Sequence, residues 1–101
     1  MEHKINCKNP WHETDQDLTK QLLLEIASDH ILAGKTVETI ARRDDNDDVL
    51  FKVIDKDITY AIVHLTWKQF KHADSEWPET RIFKHLDEVQ EQINKDNLDW
   101  E

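Results

Sequence analysis

The fold of this chain is decided by residues 49–67, VLFKVIDKDITYAIVHLTW. Two apolar runs, VLFKVI and TYAIVHLTW, lie on either side of DKD, and aspartate tolerates the tight backbone of a hairpin turn. Both faces of the second run are largely apolar, although His64 stands within it. A strand of that kind is usually central in its sheet or covered on both sides. The stretch therefore predicts an antiparallel hairpin at the centre of a sheet.

The flanking segments extend this hairpin. TVETIARR, residues 36–43, alternates with a period of two and predicts a strand, and DDNDD separates it from the hairpin as a loop. TRIF, residues 80–83, predicts a short fourth strand before a C-terminal helix. A single helix from Pro78 to about Lys95 stays open, because the apolar residues of this region also fit one helical face. The prediction is an antiparallel meander of three to four strands.

A helix is predicted to precede the sheet, from about Thr14 to Gly34. Apolar residues recur at helical spacing along it, and Gly34, the one glycine in the chain, suits a left-handed C-terminal cap. The predicted fold class is α+β, with an N-terminal helix, the meander and a C-terminal helix. Both helices are expected on one face of the sheet, and the second helix, a loop or a partner subunit would bury the other. One domain is predicted over residues 1–101, with a loose arm at 1–12 and a fraying tail at 95–101.

Composition narrows the classes of function. The 101 residues carry a formal net charge of −9, which repels phosphate backbones and argues against nucleic-acid binding. Cys7 is the single cysteine, so no intrachain disulfide can form, which fits a reducing compartment. The first residues contain no apolar run, and no window approaches the ~20 apolar residues that a membrane span needs. We therefore expect a cytoplasmic protein with no signal peptide and no membrane association.

Three motifs of the central region, DDVLF, VHLTW and a WP-T turn, resemble the core of a family of small uncharacterised bacterial proteins. The resemblance extends from Gly34 to about Phe83, roughly half the chain. It implies a compact bacterial cytosolic domain. It implies no particular biochemical role.

His64 is the residue most suited to chemistry, but its catalytic context is poor. A catalytic histidine needs a nucleophile or a positioned acid, and the two serines, Ser28 and Ser75, lie in no nucleophile context. We therefore predict no catalytic residue and expect His64 to be buried, satisfied by a backbone carbonyl or a loop carboxylate such as Asp74 or Glu76. The competing interpretation is a polar-aromatic pocket for an anion, in which Arg42 or Arg43, Trp67 and Trp77 surround His64. The predicted binding set is Arg42, Arg43, His64, Trp67 and Trp77.

No metal or cofactor is predicted. His3, Cys7 and His12 lie close together in sequence, but a fourth ligand is missing and the spacing matches no familiar zinc motif. Residues 44–48 begin like a calcium loop, yet the required glycine is Val49. A phosphate-binding glycine loop is excluded because the chain has one glycine.

The sequence thus favours a non-enzymatic acidic binding protein over an enzyme. Its contact surface would be an aromatic patch of Trp67 and Trp77, and its partner a basic protein that it covers as an inhibitor or immunity-type protein would. A second copy of the chain is the other partner left open. The alternative function is a small enzyme or anion-binding domain that uses His64 with Arg42, Arg43 and Trp67.

Overall fold

The computed structural model of the chain describes residues 5–67, 71, 72 and 77–100, the side chain of Trp100 excepted. Within this part the elements follow in the order β1 (Trp11–Glu13), α1 (Thr19–Glu25), β2 (Thr36–Arg43), β3 (Asp48–Ile54), β4 (Ile58–His64), β5 (Thr80–Phe83) and α2 (Leu86–Trp100). The predicted α+β class is confirmed. The strand-then-helix alternative for the C-terminal region is also confirmed.

The five strands form one antiparallel meander in the order β1-β2-β3-β4-β5. The central hairpin pairs Ile54 with Ile58, so Asp48 lies directly opposite His64 at the far end. Pairing of β4 with β5 sets Ile62 opposite Arg81. A register shift near Ile40, between Thr39 and Ala41, is the one irregularity of the β2–β3 ladder. Because side chains alternate between faces, this register determines which residues each helix covers.

The sheet lies between the two helices, so both faces of β4 are buried. The core on the α1 face contains Leu18, Leu22, Ile26, Leu32, Val37, Val49, Phe51, Val53, Ala61, Val63 and Leu65. The core on the α2 face contains Ile5, Trp11, Ala41, Leu50, Tyr60, Ile62, Val89 and Ile93. The prediction that both helices cover one face is wrong, whereas the alternative that the second helix buries the opposite face is confirmed. The apolar character of both faces of β4 is explained by a helix on each side.

The predicted strand count of three to four is wrong, because residues 11–13 add a fifth strand at the edge beside β2. In place of the loose arm expected over residues 1–12, Trp11 is almost fully buried and its indole Nε1 donates a 2.8 Å hydrogen bond to Asp96 Oδ2 on α2. Asn6 and Gln90 also exchange hydrogen bonds with each other. These long-range contacts anchor the segment of residues 5–13. They cannot be predicted from local periodicity, because their partners lie on α2.

The first helix is not N-terminal and covers seven residues, Thr19–Glu25, not the stretch from Thr14 to Gly34. It ends at Ile26, whose backbone is extended, and turns follow to Gly34. His30 stabilises these turns because its buried ring accepts a bond from Leu32 N–H at Nδ1 and lies 3.1 Å from the Pro78 carbonyl at Nε2. Gly34 has the predicted left-handed backbone, with φ of 76°, but it ends a turn rather than a helix.

Candidate binding cleft

An open cleft of about 450 Å³ lies at the end of the sheet where β3 begins and β4 ends. It is lined by Asn46, Asp48, Ile62, His64, Trp77, Glu79 and Arg81. Strand alternation places Ile62, His64 and Arg81 on the α2 face of the sheet. The cleft therefore lies on the same face as α2, at the end of the sheet where His64 is exposed to solvent.

His64 forms a hydrogen-bonded pair with Asp48, which lies directly across the β3–β4 ladder. Its Nδ1 is 2.8 Å from Asp48 Oδ1, and the His64 side chain is 46% exposed. The predicted burial of His64 is therefore wrong. A carboxylate partner was expected, but from the loop carboxylates Asp74 and Glu76, which lie outside the described residues. Because a carboxylate only accepts, Nδ1 carries the proton in this pair, and the neutral ring presents Nε2 as an acceptor.

Glu79 and Trp77 form the opposite wall, in the segment that leads into β5. The backbone of Glu79 is fixed because its carbonyl accepts a bond from His64 N–H. Its exposed side chain has no hydrogen bond or ion pair with any described residue. The Trp77 ring is 44% exposed and lies 6.5 Å from the ring of His72. The cleft thus combines a carboxylate that has no partner among the described residues with an exposed aromatic ring.

Arg81 is the cation of the cleft, and it is already engaged. Its Nη1 donates a 3.3 Å hydrogen bond to Gln92 Oε1 on α2, and its guanidinium lies 5.8 Å from the centre of the Phe83 ring. Both contacts draw the charge towards the helix side of the cleft. Among the described residues no ion pair joins Arg81 to Glu79, although the two are only two positions apart in the sequence.

The predicted arginines do not lie in the cleft. Arg43 makes two 2.7 Å hydrogen bonds to Asp45 and approaches Asp96 to 3.4 Å, so its charge is neutralised by carboxylates. These partners raise the pKa of Arg43, chiefly through the hydrogen bonds to Asp45. Arg42 bonds Gln16 and pairs with Val49 in the ladder, which places it on the α1 face. The structure therefore brings His64 and Trp77 together and leaves both arginines outside.

Trp67 does not line the cleft either. It follows β4 with a left-handed backbone, φ 62°, which is rare for a bulky residue, and its side chain is 39% exposed. The described residues show no ring contact between Trp67 and Trp77. The predicted strand to Trp67 ends instead at His64, because the backbone turns there towards α1.

The turn after β4 is held by Glu25, a buried carboxylate that the sequence did not single out. Its oxygens accept hydrogen bonds from Thr66 N–H, Thr66 Oγ1–H, Trp67 N–H and the Gln21 amide, all between 2.7 and 2.9 Å. Burial on its own would raise the pKa of Glu25, but these bonds together hold it below the usual value. Glu25 thus fixes the end of the strand that carries His64.

Asp48 and Glu79 were not in the predicted binding set, although a sequence signal for Asp48 existed. Residues paired across a hairpin are symmetric about its turn, and DKD at 55–57 therefore puts Asp48 opposite His64. No comparable signal existed for Glu79, because the length of the connection to β5 leaves that register open.

The described residues contain no group of three or more histidine, cysteine, aspartate or glutamate side chains that could hold a metal ion. In the same part of the chain, every helix is too short or too polar to cross a membrane. Comparisons with family models, with curated proteins and with solved structures return no match for this chain. The resemblance to small bacterial proteins therefore stays a prediction.

Proposed function

We propose that this chain is a non-enzymatic binding protein that covers a basic protein, as an inhibitor or immunity-type partner does. The observation that supports this most strongly is the cleft wall of Trp77 and Glu79. An exposed tryptophan stands there beside a carboxylate that has no described partner. Aromatic residues dominate interface hot spots, while unpaired charges steer the encounter with an oppositely charged surface.

The charges around the cleft favour a cationic partner. Asp48 and Glu79 contribute two negative charges and Arg81 one positive charge, which Gln92 and Phe83 already engage. The adjoining loop of residues 44–47 adds three aspartates, of which Asp45 is paired with Arg43 and Asp44 lies 2.8 Å from His12 Nε2. The whole chain is also acidic, at −9. Local and overall charge thus have the same sign.

The second candidate function is a small ligand-binding domain or enzyme that uses His64. The open cleft supports it, because Asp48 orients the ring and leaves Nε2 accessible, as a general base requires. Among the described residues, no serine, threonine or cysteine lines the cleft to act as nucleophile. Its anion-binding form also lacks Arg42 and Arg43. The non-enzymatic proposal therefore explains more of the lining.

The test is capture from native cytosol with three immobilised forms of the protein. One is the parent, one is a cleft variant with Trp77→Ala and Glu79→Gln, and one is a control with Ile58→Ala and Asp57→Asn. The control removes the same charge and a comparably exposed apolar side chain at the opposite end of the sheet, roughly 20 Å away at about 3.3 Å per strand residue. Ile58 is 45% exposed, which matches the 44% of Trp77.

We expect the parent and the control to retain the same basic protein, and the cleft variant to retain at least about ten times less, as loss of a hot-spot tryptophan typically costs. Circular dichroism of all three forms verifies that each is folded. Equal retention by parent and cleft variant, or retention of an acidic protein alone, would show that the cleft wall is not the contact surface.

A further inference from the structure

We infer that the cleft receives one arginine side chain of the partner, with its guanidinium against Glu79 and over the Trp77 ring. This inference rests on the proposed function and specifies the group that the site recognises. It is carried by the chemistry of the cleft lining rather than by its net charge alone.

Acceptor atoms without a described donor belong to three residues of the cleft lining, Asp48, His64 and Glu79. The Glu79 carboxylate has no described donor. In the neutral form of His64, the bond to Asp48 keeps the proton on Nδ1, so Nε2 is an acceptor. The second oxygen of Asp48 accepts from no described donor either. A guanidinium carries five N–H donors and no acceptor, so it matches these three acceptors.

The Trp77 ring distinguishes arginine from lysine. A planar guanidinium stacks on an aromatic face and donates two parallel bonds to a carboxylate, whereas an ammonium is a compact, strongly hydrated point charge. The ring and the Glu79 side chain line the same cleft, and Trp77 has exposed surface available for stacking. Arg81 does not occupy this position, because Gln92 and Phe83 hold its guanidinium on the helix side.

The test uses a small probe and needs no partner protein. N-acetyl-arginine methylamide is titrated into the labelled protein, and amide, indole and histidine ring signals are followed by NMR. The neutral citrulline analogue, which has nearly the same shape, is the control ligand, and the lysine analogue is the competing cation. Glu79→Gln is the test variant, because its backbone contact to His64 is unaffected, and Asp57→Asn is the matched control.

We expect saturable shifts of the Trp77 indole and His64 ring signals, with a Kd on the order of 1–10 mM for a single side chain. Glu79→Gln should weaken the probe about 3- to 10-fold through loss of charge-assisted bonds, while Asp57→Asn should leave it within about 1.5-fold. The citrulline analogue should bind at least about 5-fold more weakly than the arginine probe, and the lysine analogue should fall between them.

Equal binding of the citrulline and arginine probes, an unchanged Kd in Glu79→Gln, or shifts centred elsewhere would overturn the arginine assignment. Such a result would leave the proposed function standing if the captured basic protein still depended on the cleft wall. Conversely, a cleft that binds the arginine probe while no basic protein is captured would refute the proposed function and keep the assignment.

Discussion

Replacement of the buried carboxylate Glu25 by glutamine isolates the contribution of the turn that follows β4. Glutamine has nearly the same shape, so the change leaves no cavity. One carboxylate oxygen becomes an NH2 group, which can only donate. If the NH2 group replaces Oε2, it faces the N–H of Trp67. If it replaces Oε1, it faces the N–H and the hydroxyl of Thr66. In either case two donors meet where one donor and one acceptor met before.

The magnitude follows from the bonds that cannot be kept. The variant loses at least one charge-assisted bond, which is worth about 1.5–3 kcal/mol, and leaves a buried N–H unsatisfied at about 1–3 kcal/mol. Because these two amounts partly describe the same event, we expect Glu25→Gln to lower the free energy of unfolding by about 2–4 kcal/mol. That is a large fraction of the roughly 5–15 kcal/mol that holds a typical domain folded.

Urea denaturation followed by tryptophan fluorescence measures the change. The matched control is Glu91→Gln, an exposed position on α2 with no hydrogen bond or ion pair to a described residue, where the expected change is within about 0.5 kcal/mol. If the free energy of unfolding of Glu25→Gln lies within about 0.5 kcal/mol of the parent value, the range expected for the control, the reasoning that Glu25 holds the turn is refuted.

Three further predictions concern stability. The pKa of Glu25 lies below its usual value of about 4.5, so the unfolded chain takes up the proton first and stability falls as pH drops below that value. The difference in the free energy of unfolding between parent and Glu25→Gln should therefore narrow from pH 6 to pH 3, and a constant difference would contradict this. Gly34→Val should cost about 1–2 kcal/mol through left-handed strain alone, since no atom lies within 4 Å of an added Cβ, and Gly34→Asn should cost less; equal thermal midpoints for parent and Gly34→Val would contradict this. His64→Ala should cost less than about 1 kcal/mol in urea denaturation because the side chain is half exposed, and a loss above 2 kcal/mol would mean that the ring is buried.

The central hairpin and the C-terminal helix could be predicted because their signals are local. Alternation on either side of DKD determines the hairpin, and the spacing of Leu86, Val89 and Ile93 indicates the helix. The edge strand at Trp11 could not be predicted, because its buried indole depends on Asp96, which lies 85 positions away. The length of α1 was overestimated because the apolar spacing continues past Ile26, where tertiary bonds replace the helix.

Part of the candidate site could also be predicted, because two of its residues stand out from their local sequence. His64 and Trp77 were identified because a histidine in an apolar strand and a tryptophan in a polar loop are conspicuous. The exposure of His64 was not predicted. The alternation of side chains shows on which face of the sheet His64 lies, but it does not show how far along the strand the helix covers that face. The arginines were misplaced because β3 lies between β2, which carries them, and β4, which carries His64.

The most direct test of the binding proposal is the association rate of the captured basic protein, measured as salt rises from about 0.05 to 0.5 M. The Debye length then falls from roughly 14 to 4 Å. If the acidic cleft end steers the encounter, the association rate constant should fall at least about 10-fold while the dissociation rate constant changes less than about 3-fold. An association rate that does not respond to salt would contradict the proposal that charge at the cleft end recognises a basic partner.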